Sequence, residues 1–151
     1  MASIFLMLSG SVMADVSDRN AELIQTAAKG SLAGVNAALD DGAEINAKGI
    51  NNSGATALMW ASDNGNSSIV KLLLENGAEV NARNTASGVT ALWTASQYGY
   101  VEIAKILLEK GADVNIRATI DNVEYTALPL IEVLRIDCND RSGDCMPDYC
   151  F

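Results

Sequence analysis

The stretch Thr56-Ala-Leu-Met-Trp-Ala-Ser-Asp-Asn-Gly65-Asn-Ser-Ser-Ile-Val-Lys-Leu-Leu-Leu-Glu-Asn-Gly77-Ala-Glu-Val-Asn81 returns in nearly the same order as Thr90-Ala-Leu-Trp-Thr-Ala-Ser-Gln-Tyr-Gly99-Tyr-Val-Glu-Ile-Ala-Lys-Ile-Leu-Leu-Glu-Lys-Gly111-Ala-Asp-Val-Asn115. The closing motif has a third copy upstream, Gly42-Ala-Glu-Ile-Asn46, so the three copies start 35 and then 34 residues apart. The opening motif has a third copy downstream, Thr126-Ala-Leu128, in phase with Thr56 and Thr90. A period of this length is the mark of a repeat architecture in which each unit is one supersecondary element.

Glycine pairs twelve residues apart, Gly30 with Gly42, Gly65 with Gly77 and Gly99 with Gly111, divide each unit internally. The segment between them carries Ile69, Val70, Leu72, Leu73 and Leu74, or Ile103, Ala104, Ile106, Leu107 and Leu108, an apolar stripe at helical spacing. Gly77 and Gly111 then stand where a left-handed helix end is wanted. The preceding segment opens on Thr56 or Thr90, whose hydroxyl suits a helix N-terminus. Ala57, Ala61, Ala91 and Ala95 keep that helix thin enough for neighbouring units to stack. Glu79-Val80-Asn81 and Asp113-Val114-Asn115 lead into polar turns, so each unit reads as two helices and an extended turn.

This pattern resembles the ankyrin repeat, whose consensus opens on Gly-x-Thr-Pro-Leu-His and closes on Gly-Ala-Asp-Val-Asn. Thr56–Asn81 and Thr90–Asn115 match closely, and Leu23–Asn46 matches as a degenerate first repeat without the Thr-x-Leu opening. The resemblance implies an all-α solenoid of helix-turn-helix units joined by short β-hairpin-like fingers. The family's Pro and His are replaced by Ala57 and Met59, by Ala91 and Trp93, and by Ala127 and Pro129. The hydrogen bonds of that His are therefore lost, and Met59 and Trp93 are expected to compensate by packing along the seam between units. The fingers, Asn46 to Thr56, Asn81 to Thr90 and Asn115 to Thr126, exceed the family's length by one to three residues.

After Thr126 the plan is not completed, because Arg135 stands where glycine is expected. Leu128, Leu130, Ile131, Val133 and Leu134 suit one amphipathic capping helix over Thr126–Ile136. The chain thus divides into a repeat domain over 15–136, with units 15–46, 47–81, 82–115 and a truncated cap 116–136, and a Cys/Asp-rich tail over 137–151. Residues 1–14 read as a signal peptide. Ala2–Leu8 is apolar and far shorter than the ~20 residues of a membrane span, and Val12-Met13-Ala14 suits cleavage before Asp15. No Lys or Arg precedes the apolar run, which departs from the usual secretory pattern. The mature chain is expected in a periplasm or outside the cell, as a monomer without membrane attachment.

Composition narrows the function. Ten Lys plus Arg against nineteen Asp plus Glu give a net charge of -9, which disfavours nucleic acid and anionic lipid. The chain has no His, the commonest general base and a common metal ligand. No phosphate-cradling loop, nucleophile elbow or C-x-x-C pair occurs, so neither catalysis nor a cofactor is expected. Cys138, Cys145 and Cys150 all lie in the tail. In an oxidising compartment one pair suits a disulfide, a constraint of roughly 2 to 3 kcal/mol on the unfolded chain, the pairing being open. Their spacing suits zinc poorly, and Arg141 falls on a ligand position of a calcium loop.

The resemblance instead implies a groove that binds another protein. Its candidate residues are Lys48, Ile50, Asn51, Trp60, Asp63, Asn64, Arg83, Asn84, Thr85, Gln97 and Tyr98, in the fingers and along the first helices. A secreted effector or immunity-type factor would use the same groove. Redox or metal chemistry at the tail cysteines is the alternative from a different class.

Overall fold

The computed structural model describes residues 15–49 and 53–127. Three helix pairs follow one another: α1 (Val16–Lys29) with α2 (Leu32–Asp40), α3 (Ala57–Asp63) with α4 (Ser67–Glu75), and α5 (Ala91–Gln97) with α6 (Val101–Glu109). A two-stranded antiparallel hairpin, β1 (Ala118–Ile120) and β2 (Val123–Tyr125), closes the described chain. The signal segment 1–14, Ile50 and Asn51 of the first finger, the capping helix from Leu128 onwards and the three cysteines lie outside the described residues.

The helix ends follow from the local sequence. Thr56 Oγ1 accepts from Met59 N at 3.4 Å and Thr90 Oγ1 from Trp93 N at 3.3 Å, which supplies the partners that the first turn of each inner helix lacks. Ser31 serves α2 in the same way, accepting from Gly34 N at 3.1 Å. The first unit has no Thr at the equivalent of Thr56. Its inner helix accordingly runs on toward the N-terminus to fourteen residues, twice the seven of α3 and α5.

Inner helices α1, α3 and α5 stack side by side, as do outer helices α2, α4 and α6. Leu23, Leu58, Leu73, Leu92, Ile103 and Leu107 are fully buried between them in one continuous core, each stabilising the fold by about 1.5–3 kcal/mol. Ala27, Ala57, Ala61, Ala91 and Ala95 are buried along the inner helices, so small side chains set the close spacing of the units. Gly34 does the same between α1 and α2, where a Cβ would stand 2.6 Å from the Thr26 methyl group.

Two hydrogen-bonded ladders link the units besides this packing. In the first, Asn20 Oδ1 accepts from Glu44 N at 2.7 Å, Asn46 Oδ1 from Glu79 N at 2.8 Å and Asn81 Oδ1 from Asp113 N at 2.8 Å. Asn46 and Asn81, the closing Asn of their motifs, thus read the backbone of the next repeat, while Asn20 makes the same bond within the first unit. In the second, Thr85 N donates to Ser53 O at 3.0 Å and Thr119 N to Ser87 O at 2.7 Å, joining consecutive fingers. Seam packing alone is therefore not what replaces the family's His. Met59 is buried in the core as expected, but Trp93 is only half-buried and stands outside the core cluster.

The third finger explains its extra length. Ile120 pairs with Val123 across Asp121 (φ 50°) and Asn122 (φ 64°), a tight turn that needs two residues in the left-handed region. Asn and Asp tolerate it better than other non-glycine residues. Gly54 in the first finger also has a left-handed φ, 57°, and a Cβ there would collide with the Thr85 side chain of the next finger.

Candidate functional site

A cleft of about 260 Å³ opens between the inner helices and the fingers. Met59, Trp60 and Asp63 line it from α3, and Trp93, Thr94 and Gln97 from α5. Ser53, Ala55, Asn84 and Val89 line it from the fingers. In each helix the last lining residue follows the other two by three and four positions, so they share a face away from the alanines.

Trp60 and Trp93 give the cleft its character. Both are half-buried, and in both the Nε1 atom is buried with no hydrogen-bond partner among the described residues. The indole surface offered to the cleft is therefore carbon. A buried donor without an acceptor costs about 1–3 kcal/mol. Asp63, half-buried, forms no ion pair or hydrogen bond among the described residues.

The residues expected to bind a partner divide into two groups. Trp60, Asp63 and Gln97 come together in the cleft, and Asn84 lines it as well although its side chain also holds its own turn. Tyr98 lies beside it, 55% exposed, with its ring 6.0 Å from that of Tyr100. Lys48 is exposed in the first finger. Side chains of the second group are engaged in holding the scaffold. Arg83 donates through Nη2 to Arg117 O at 2.7 Å and through Nε to Gly88 O at 3.3 Å, tying the second finger to the third. Thr85 Oγ1 donates to Ser53 O at 3.2 Å. Asn84 Oδ1 accepts from Ser87 N at 3.1 Å and Val89 N at 3.0 Å, shaping its own turn. Asn64 Nδ2 donates to Trp60 O at 2.9 Å at the end of α3.

Sequence reasoning missed Ser53, Ala55, Met59, Val89 and Thr94 as lining residues, and gave Trp93 to packing along the seam. The helical spacing of Trp93, Thr94 and Gln97 repeats that of Met59, Trp60 and Asp63 one unit earlier and was the available sign. Among the described residues no group of three or more His, Cys, Asp or Glu side chains is placed to hold a metal ion. No described helix is long and apolar enough to cross a membrane.

The chain matches no individual curated protein. A family model described as ankyrin repeats (3 copies) matches residues 4–84 and again 23–118, together well over half of the chain. Such repeats generally serve protein–protein interaction, and stacked repeats build extended concave binding surfaces. With the repeated helix pairs, the stacked fingers and this match in agreement, the chain belongs to the ankyrin repeat family.

Proposed function

We propose that the chain binds a partner protein in the cleft between its inner helices and fingers, with Trp60 and Trp93 as the anchoring side chains. One observation carries this reading: two neighbouring units each turn a half-buried indole into the same cleft, with the ring nitrogens unpaired. Trp is among the residues most enriched at the energetic centres of interfaces. Gln97 and the exposed Tyr98 extend the surface along α5. Binding rather than catalysis is the inferred activity.

Panning a random-peptide display library against the full chain tests the proposal. Peptides enriched on the native chain should lose at least about thirtyfold in affinity on a Trp60→Ala, Trp93→Ala variant. A second variant, Asp63→Lys with Gln97→Lys, blocks the cleft through more accessible positions and should lose binding with an unchanged circular dichroism spectrum. Enriched peptides that bind both variants as well as the native chain would overturn the proposal.

We also propose export as its setting, supported by the apolar run Ala2–Leu8 and the small residues ending at Ala14. N-terminal sequencing of the chain recovered from expressing cells should begin at Asp15, and a retained Met1 would contradict export by this route.

A further inference from the structure

We infer that the cleft takes a basic side chain, Arg or Lys, from the partner, held over the indole carbons of Trp60 and Trp93 with Asp63 as its counter-ion. This rests on the reading of the cleft as the binding site.

Three observations converge. Asp63 is the only charged residue among the ten that line the cleft. Its carboxylate, half-buried, has no cation or donor among the described residues. A carboxylate without a partner of its own is open to a positive charge from outside. Among the described residues, the Arg83 guanidinium is taken up by two backbone carbonyls and Lys48 does not line the cleft.

The second observation is the pair of rings. Because the Nε1 atoms are buried, the cleft meets aromatic carbon, and a cation is drawn to the face of an indole more strongly than to any other aromatic side chain. The alkyl stem of Arg or Lys also suits the apolar floor made by Met59, Ala55 and Val89. The third is long-range: a chain of net charge -9 draws basic segments toward it and repels acidic ones.

Two short peptides on the full chain provide the test: acetyl-Gly-Ser-Arg-Ser-Gly-amide, and the same peptide with citrulline, which keeps the shape of Arg and removes its charge. The chain contains only two Trp residues, so two indole N–H signals report the cleft directly in a nitrogen-labelled sample. The Arg peptide should shift both signals saturably, and the citrulline peptide should require about tenfold higher concentration. Asp63→Asn should remove most of that preference, by about fivefold, while the remaining spectrum stays dispersed. Equal binding of both peptides, or a full preference retained in Asp63→Asn, would overturn the basic-side-chain inference and leave the cleft as a binding site. Absence of any saturable shift with the Arg peptide would overturn it as well. Failure of the parent reading shows separately, as library peptides indifferent to the loss of both Trp residues.

Discussion

The inner helices have two sides that obey different rules. On one, Ala57, Leu58 and Ala61 of α3 and Ala91, Leu92 and Ala95 of α5 are the same residues at the same positions, and all are buried. On the other, Met59, Trp60 and Asp63 face Trp93, Thr94 and Gln97 across the cleft, with no residue shared between the two units. The first side is where each repeat must fit its neighbour, and a stack needs the same fit every time. The second is free of that requirement at Trp60, Asp63, Trp93 and Gln97, whereas Met59 and Thr94 are buried. It carries indole donors and a carboxylate without partners among the described residues, features that suit a surface used for recognition.

The largest expected effect lies on the packing side. Leu92→Ala empties a fully buried position between units and should destabilise the fold by about 2–5 kcal/mol in urea denaturation. Peptide binding should fall only as the folded fraction falls. A loss of a few tenths of a kcal/mol instead would show that the units are not packed through this side.

The Asn ladder provides the next comparison. Asn81 both accepts from Asp113 N and donates through Nδ2 to Gly111 O at 3.2 Å, whereas the Asn115 side chain makes no such bond among the described residues. Asn81→Ala should lower stability by about 1–2 kcal/mol, and Asn115→Ala should change it by less than about 0.5 kcal/mol. Equal effects in thermal unfolding would remove the ladder from the account.

The smallest effect has the opposite sign. Ser62 Oγ donates to Leu58 O at 2.8 Å, while Ser96 Oγ, at the equivalent position of α5, is buried without a partner. Ser96→Ala should therefore raise stability by about 0.5–1 kcal/mol. Ser62→Ala should not.

Much of this architecture is legible in the sequence, because repetition exposes it. Thr56 and Thr90 mark helix starts and Gly65, Gly77, Gly99 and Gly111 mark helix ends by local chemistry that needs no tertiary context. The fourteen-residue α1 is not legible in the same way, since the absence of a capping Thr does not say how far a helix extends. Nor is the partition of Met59 from Trp93. They replace the same family residue in consecutive units and both line the cleft, yet Met59 is buried in the core and Trp93 is half-buried outside it. The Asn ladder escapes for a related reason: Asn46 and Asn81 recur conspicuously, but their partners lie 33 and 32 residues away. Arg83 and Thr85 illustrate the converse. As polar finger residues they suit a partner, yet their donors are taken by neighbouring fingers.

The central claim is that recognition belongs to the cleft and not to the outer helices. Hydrogen–deuterium exchange of the full chain, with and without a library-selected peptide ligand, tests it most directly. The account predicts slowed exchange over residues 53–63 and 84–98, which line the cleft, with α4 and α6 unchanged. Protection confined to α4 and α6 would contradict it.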